Sequence, residues 1–202
     1  MTIIETKQIT KDSYSLHEST YNLDPEEAEL VVASIKGDQR AAHRLYCRYV
    51  QAMYHTVIRM IPRVPEAEDV LQDAFVQVFH KLHTFKGDSS LGAWIKRICI
   101  NMSLNYLRTA GRMSFVALED HDFSLSVSDP NDGQADFPLD LKTIHQTIKE
   151  LPEGCRVVFN LHLLEGYQHQ EVAEILNISV STSKTQYRRA RHLLSEKLKA
   201  KL

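Results

Sequence analysis

Seven glycines and six prolines in 202 residues leave little material for tight strand connections. An all-β sandwich or barrel, which needs turn residues at every hairpin, is therefore disfavoured, and so is a low-complexity chain. The three cysteines, Cys47, Cys99 and Cys155, are odd in number and far apart, and each stands among apolar residues in a helical context. That excludes a disulfide framework and a CxxC metal motif, and buried thiols are expected. Ten histidines are present, but His43 and Cys47, or His162 and His169, give pairs only. Metal sites need three or four convergent ligands, so no metal and no other cofactor is expected. HExxH, a phosphate loop and a nucleophile elbow are all missing, which disfavours an enzyme. No apolar run reaches transmembrane length, and residues 1–21 lack the apolar centre of a signal peptide. The expectation is a cytoplasmic protein without direct membrane insertion.

What is present is a chain 43% apolar and 25% charged, the balance of a helix-rich globular protein long enough for two small cores. Its formal charge of −2 hides a strong asymmetry. Seven acids and no Lys or Arg lie between 113 and 140, whereas residues 177–202 hold seven Lys and Arg against one Glu. A basic end suits phosphate neutralisation, and an acidic middle repels the same partner. Residues 113–138, with Asp129-Pro130, Asn131-Asp132-Gly133 and a closing Pro138, carry no helical period and read as a flexible acidic linker.

Helical periodicity covers most of the rest. Apolar residues from Leu30 to Ile61 fit a helix broken near Gly37-Asp38 and stopped by Pro62 and Pro65. Ala67, Val70, Leu71, Ala74, Phe75, Val78, Phe79 and Leu82 form the cleanest amphipathic stripe and are expected to be core. A loop with Gly87 follows, then a helix from Leu91 to about Thr109 with Trp94, Ile95, Ile98 and Met102 inward. After the linker come a helix over 141–151, one over 153–164, one over 168–176, a turn Asn177-Ile178-Ser179, and a last helix over 180–198. The last two have helix-turn-helix spacing. The fold class is all-α: two small helical domains at 24–112 and 139–202, joined by the 113–138 linker, with 1–23 a flexible extension.

Three surfaces stand out. Opposite the 67–82 core stripe, Asp69, Gln72, Asp73, Val76 and His80 share one outward face, which fits a protein-binding surface or a solvated face with one stray apolar residue. The loop Phe85, Lys86, Gly87, Asp88, Ser89, Ser90 supplies an aromatic and polar groups suited to holding an unstacked base. Beyond it Arg97, Asn101, Asn105, Arg108 and Arg112 make an acid-free cationic stripe able to track a phosphate backbone, while Trp94 taken alone reads as core. On the last helix Tyr187, Ala190 and Leu194 point inward beside Ser183. Thr185, Arg188, Arg189 and His192 face out with Lys184 at the flank, a geometry for major-groove reading that a plain solvated basic face would also show.

The strings AEDVLQDAFVQVFHKLHTFKGDSSLGAWIKRICINMSLNYLR, from Ala67 to Arg108, and EGYQHQEVAEILNISVSTSKTQYRRARHLL, from Glu165 to Leu194, resemble the two defining domains of the extracytoplasmic-function sigma factors, in that family's order. The resemblance implies that Asp69, Gln72, Asp73, Val76 and His80 bind core RNA polymerase (β′ and β subunits), with Asp69, Gln72 and Asp73 in the acid-amide-acid pattern that meets the β′ clamp helices. It implies that Phe85 to Ser90 with Trp94, Arg97, Asn101, Asn105 and Arg108 bind and help melt the −10 element. It further implies that Lys184, Thr185, Gln186, Arg188 and Arg189 read the −35 element as duplex, that the acidic linker threads the RNA exit channel, and that an anti-sigma factor is a partner. Thr182-Ser183-Lys184-Thr185-Gln186 departs from the family's Thr-Val-Arg-Ser-Arg opening, so the base preference does not transfer. A Lys lacks the bidentate fork of Arg for guanine and Gln favours adenine, so readout is expected to move toward A·T. A conventional helix-turn-helix regulator is the alternative, although it has no use for the 67–108 segment.

Overall fold

A computed structural model of the chain describes residues 23–111 and 141–201. These divide between Leu107 and Arg108 into two compact units, and all their regular structure is helical. The acidic 113–138 segment, residues 1–22 and Arg112 lie outside the described residues.

The first unit holds α1 (Pro25–Ile35), α2 (Gln39–Met60), α3 (Val64–Lys81) and most of α4 (Leu91–Thr109). Local chemistry sets the boundaries. Asp24 caps α1 by accepting the Glu27 N–H at 2.8 Å, and Pro25 starts the helix at a position where its missing donor costs nothing. Gly37, at φ 91°, ends α1 by letting the Asp38 N–H return to the Ala33 carbonyl at 3.0 Å. Asp38 then caps α2 through the Arg40 N–H at 2.8 Å.

Of the eight residues expected as core in α3 and just beyond it, seven are buried, and Phe79 is half-buried. They pack on α2, where Leu45, Met53, Val57 and Met60 are buried and Tyr46 meets Phe75 edge-on at 4.8 Å. Each full apolar side chain so buried stabilises by about 1.5–3 kcal/mol. α1 is held on α2 by Glu26, which binds Arg44 at 2.5 Å and Arg48 at 2.7 Å, and by the buried Glu27, which accepts the Tyr49 hydroxyl. Burial and the Glu27 carboxylate push the Tyr49 hydroxyl well above its ordinary range. Gly92 lets α4 start against that same tyrosine: a Cβ there would sit 3.0 Å from the Tyr49 ring. The buried stripe of α4 runs through Leu91, Ile95, Cys99, Ile100 and Leu104, leaving the expected Trp94, Ile98 and Met102 half-buried on its flank. Small Cys99 and Ser103 hide this stripe from a pattern weighted to large apolar residues; burial drives the Cys99 thiol up to about 12.

The second unit holds α5 (Leu141–Lys149), α6 (Glu153–Phe159), α7 (His169–Leu176) and α8 (Val180–Lys199). Ile148, Leu151, Cys155 and Phe159 meet Ala190 and Leu194, so α8 packs across α5 and α6 as well as α7. Arg156 is buried at 7% exposure and donates to the carbonyl of Leu151 at 2.9 Å and of Lys149 at 3.3 Å, closing the end of α5. Lys197 and Lys201 both reach Glu150, at 2.9 and 3.2 Å, and hold its carboxyl below the usual range. The α-helix expected over 153–164 stops at Phe159. A π turn, Asn160–Leu164, replaces its last part, with the Glu165 N–H bonded to the Asn160 carbonyl at 3.0 Å.

Candidate nucleic-acid and partner interfaces

Along α3, Asp69, Gln72, Asp73, Val76 and His80 are all exposed on the side opposite the core. Val76 is 65% exposed, the most open of the large hydrophobic residues among the described residues. The wall beside this face is a groove between α2 and α3 lined by Tyr46, Val50, Gln51, Tyr54, Glu68 and Gln72, which no single-helix stripe revealed. Tyr46 and Tyr54 are spaced at i, i+8 on α2.

On α4, Arg97, Asn101, Asn105 and Arg108 are exposed in one line, and the helix carries no acid. The loop before it departs from expectation. Phe85 is 4% exposed, packed edge-on to Trp94 with ring centroids 5.6 Å apart, so it is not the open platform for an unstacked base that its polar neighbours suggested. The single 3-10 turn Leu82–Thr84 swings it under the indole. Gly87 is buried with φ 75°, and Ser90 accepts the Ala93 N–H at 3.3 Å as the start of α4. Lys86, Asp88 and Ser89 remain exposed, and Trp94 stays half-exposed.

The helix-turn-helix is built by α7 and α8. Gln168 and Glu171 form a reciprocal cap at the start of α7. Asn177 takes the left-handed conformation, φ 55° and ψ 50°, and Ser179 caps α8 by accepting the Thr182 N–H at 2.9 Å. Lys184 and Arg188 are exposed and Thr185 and Arg189 half-exposed. Gln186 is not with them. It is 4% exposed, and its Oε1 accepts the Cys155 thiol at 3.0 Å, so it belongs to the packing between α6 and α8 and not to a reading face. The expected A·T preference loses that half of its basis. Arg191 and Ser195, which periodicity did not single out, extend the outer face by lining a shallow notch with Arg188 and His192.

Cys47 also departs from its expected burial. It is exposed on α2, its Sγ 3.5 Å from His43 Nε2, because the apolar residues around it in sequence point to the other side of the helix. Among the described residues no group of three or more metal-ligating side chains comes together, and no helix is long and apolar enough to cross a membrane.

Comparison with known proteins agrees over both units. A family model described as Sigma-70 region 2 matches residues 45–113, and one described as Sigma-70, region 4 matches residues 141–194. The RNA polymerase sigma-H factor of Pseudomonas aeruginosa is 30% identical over 182 residues, covering 86% of this chain and 94% of that protein. The ECF RNA polymerase sigma-E factor of Escherichia coli is 31% identical over 172 residues, covering 81% and 89%. Among solved structures, the sigma factor RpoE in complex with the anti-sigma factor NepR from Bartonella quintana matches with a TM-score of 0.51 at 25% identity, over 78% of this chain and 96% of that one.

Proposed function

The chain belongs to the extracytoplasmic-function sigma factors of RNA polymerase, and from that membership we propose how its residues divide the work of initiation. Residues 24–112 act as sigma region 2. The α3 face of Asp69, Gln72, Asp73, Val76 and His80 grips core polymerase, with the two acids and the amide meeting the β′ clamp helices. Lys86, Asp88, Ser89, Trp94, Arg97, Asn101, Asn105 and Arg108 hold the −10 element. Extruding a base costs a few kcal/mol, which hydrogen bonds to the flipped base and a cationic track for the strand offset. Residues 139–202 act as region 4, where Lys184, Thr185, Arg188 and Arg189 dock on duplex −35 DNA. Phosphate contacts by the arginines fix register, and Lys184 and Thr185 at the start of α8 sit where a recognition helix reads base edges. Polymerase supplies the catalysis in the cytoplasm; this chain supplies address and strand capture, under control of an anti-sigma factor.

The observation that carries this reading is the α3 face: an exposed valine flanked by exposed acids, an amide and His80, on a helix whose opposite side packs into the core. An apolar centre with a polar rim is the anatomy of a protein interface. Replacing Asp69, Gln72 and Asp73 together by Ala tests it. Affinity of the full chain for core polymerase should fall by at least about tenfold, equivalent to about 1.4 kcal/mol, with little change in melting temperature. Undiminished binding by a folded triple variant refutes the assignment.

A further inference from the structure

His162 and His169 come from different elements, the π turn after α6 and the first turn of α7, yet their rings stack with centroids 4.0 Å apart and planes 20° apart. Both lie against Tyr187 of α8, His162 edge-on at 4.7 Å and His169 at 5.6 Å. His162 Nδ1 lies 2.7 Å from the Tyr167 carbonyl; a carbonyl only accepts, so this nitrogen carries the proton. His169 Nδ1 lies 2.9 Å from the hydroxyl of Ser183, which is fully buried on α8. The pair therefore ties the π turn, α7 and α8 together one residue away from Lys184, where the proposed −35 contacts begin.

We propose that the stacked His162–His169 pair is a positioning device for the recognition helix, which holds α8 in register on α7 while neutral and loosens it, weakening the grip on duplex DNA, when His169 takes a proton. The proposal rests on the −35 reading of α8 given above. The groups around the two rings favour the neutral state. Burial is the largest cause that holds His169 below its ordinary value, followed by His162 on the π turn and Lys184 on α8. Tyr187, the other titratable group of α8 at the pair, presents its ring to both histidines. The acid of the same α7 turn, Glu171, is engaged by the Gln168 N–H at 2.7 Å, and neither it nor Glu165 at the end of the π turn is among the groups that shift His169. A protonated His169 also makes Nδ1 an obligate donor, so Ser183 can only accept there.

The sign follows. Because the docked ring resists a proton more than a released one, docking is fully present above the ordinary histidine value of about 6.5 and is lost as pH falls from there through the lower docked value. Two measurements test this. In the full chain, NMR titration should place the His169 midpoint below about 6.5, with the Ser183 and Tyr187 amide shifts following the same curve, and His162→Gln should raise that midpoint by removing a neighbouring ring. In reconstituted holoenzyme, affinity for duplex DNA selected from a randomised pool at about pH 7.5 should fall below the midpoint by up to about tenfold per pH unit, the limit for uptake of one proton. His169→Gln should flatten that fall, and if it does not fold, the shifted midpoint of His162→Gln should move it. An ordinary His169 midpoint with flat Ser183 and Tyr187 amides, or a fall unchanged in either folded variant, overturns the proposal. Holoenzyme that selects no duplex sequence at about pH 7.5 would instead overturn the −35 reading, and the NMR titration would still decide the positioning role.

Discussion

Gln186 spends its amide inside the protein. With its Oε1 on the Cys155 thiol and only 4% of its surface exposed, it has no reach to a base edge. A Gln186→Ala variant should therefore select the same −35 sequence as the parent, while losing about 1–3 kcal/mol of stability from the orphaned thiol and the small cavity. A changed base preference at unchanged stability would contradict this placement. The burial was within reach of the sequence, since Ser183, Gln186, Ala190 and Leu194 lie at i, i+3, i+7 and i+11, one helical stripe. The resemblance, which set it among the family's reading positions, placed it on the outer face instead. Phe85 departs in the same direction, an aromatic among polar loop residues that looks free until a single turn at Leu82–Thr84 packs it against Trp94.

Elements with strong period and clear punctuation were legible. The breaks at Gly37-Asp38 and Asn177-Ile178-Ser179, the α4 span and the outward α3 face follow from caps, glycines and spacing. The π turn at Asn160–Leu164 did not, because Leu161, Leu163 and Leu164 continue an apolar run that a 3.6-residue period absorbs. The wider turn shifts the phase and leaves Leu163 at 53% and Leu164 at 40% exposure, and it brings His162 to His169. The α7–α8 turn gives a direct element-scale test. Asn177 sits at φ 55°, a region that Asn and Gly tolerate and β-branched residues do not. Asn177→Gly should melt within about 0.5 kcal/mol of the parent, whereas Asn177→Val should cost about 1–2 kcal/mol and weaken duplex binding by disturbing the entry of α8. Equal stability of the two variants would show that this turn does not constrain the helix pair.

Across the whole molecule, charge and shape separate two kinds of partner. The first unit presents an acidic, apolar-centred face on α3, and α4 carries a cationic, acid-free line; the second unit presents Lys184, Arg188, Arg189 and Arg191 on a capped helix. Sequence order and spacing carried the family, since each motif string marks one unit, but the groove between α2 and α3 depends on how two helices pack, and the pairing of His162 with His169, visible along the chain, gave no sign that the rings stack. On this reading the chain confers promoter specificity on a polymerase that lacks it. The most direct test is transcription in vitro from genomic templates by purified core polymerase with and without the protein. Discrete new start sites that require the protein are expected, and the Asp69, Gln72 and Asp73 triple Ala variant should fail to support them. A purified, folded chain that neither binds core polymerase nor directs any specific start would contradict it.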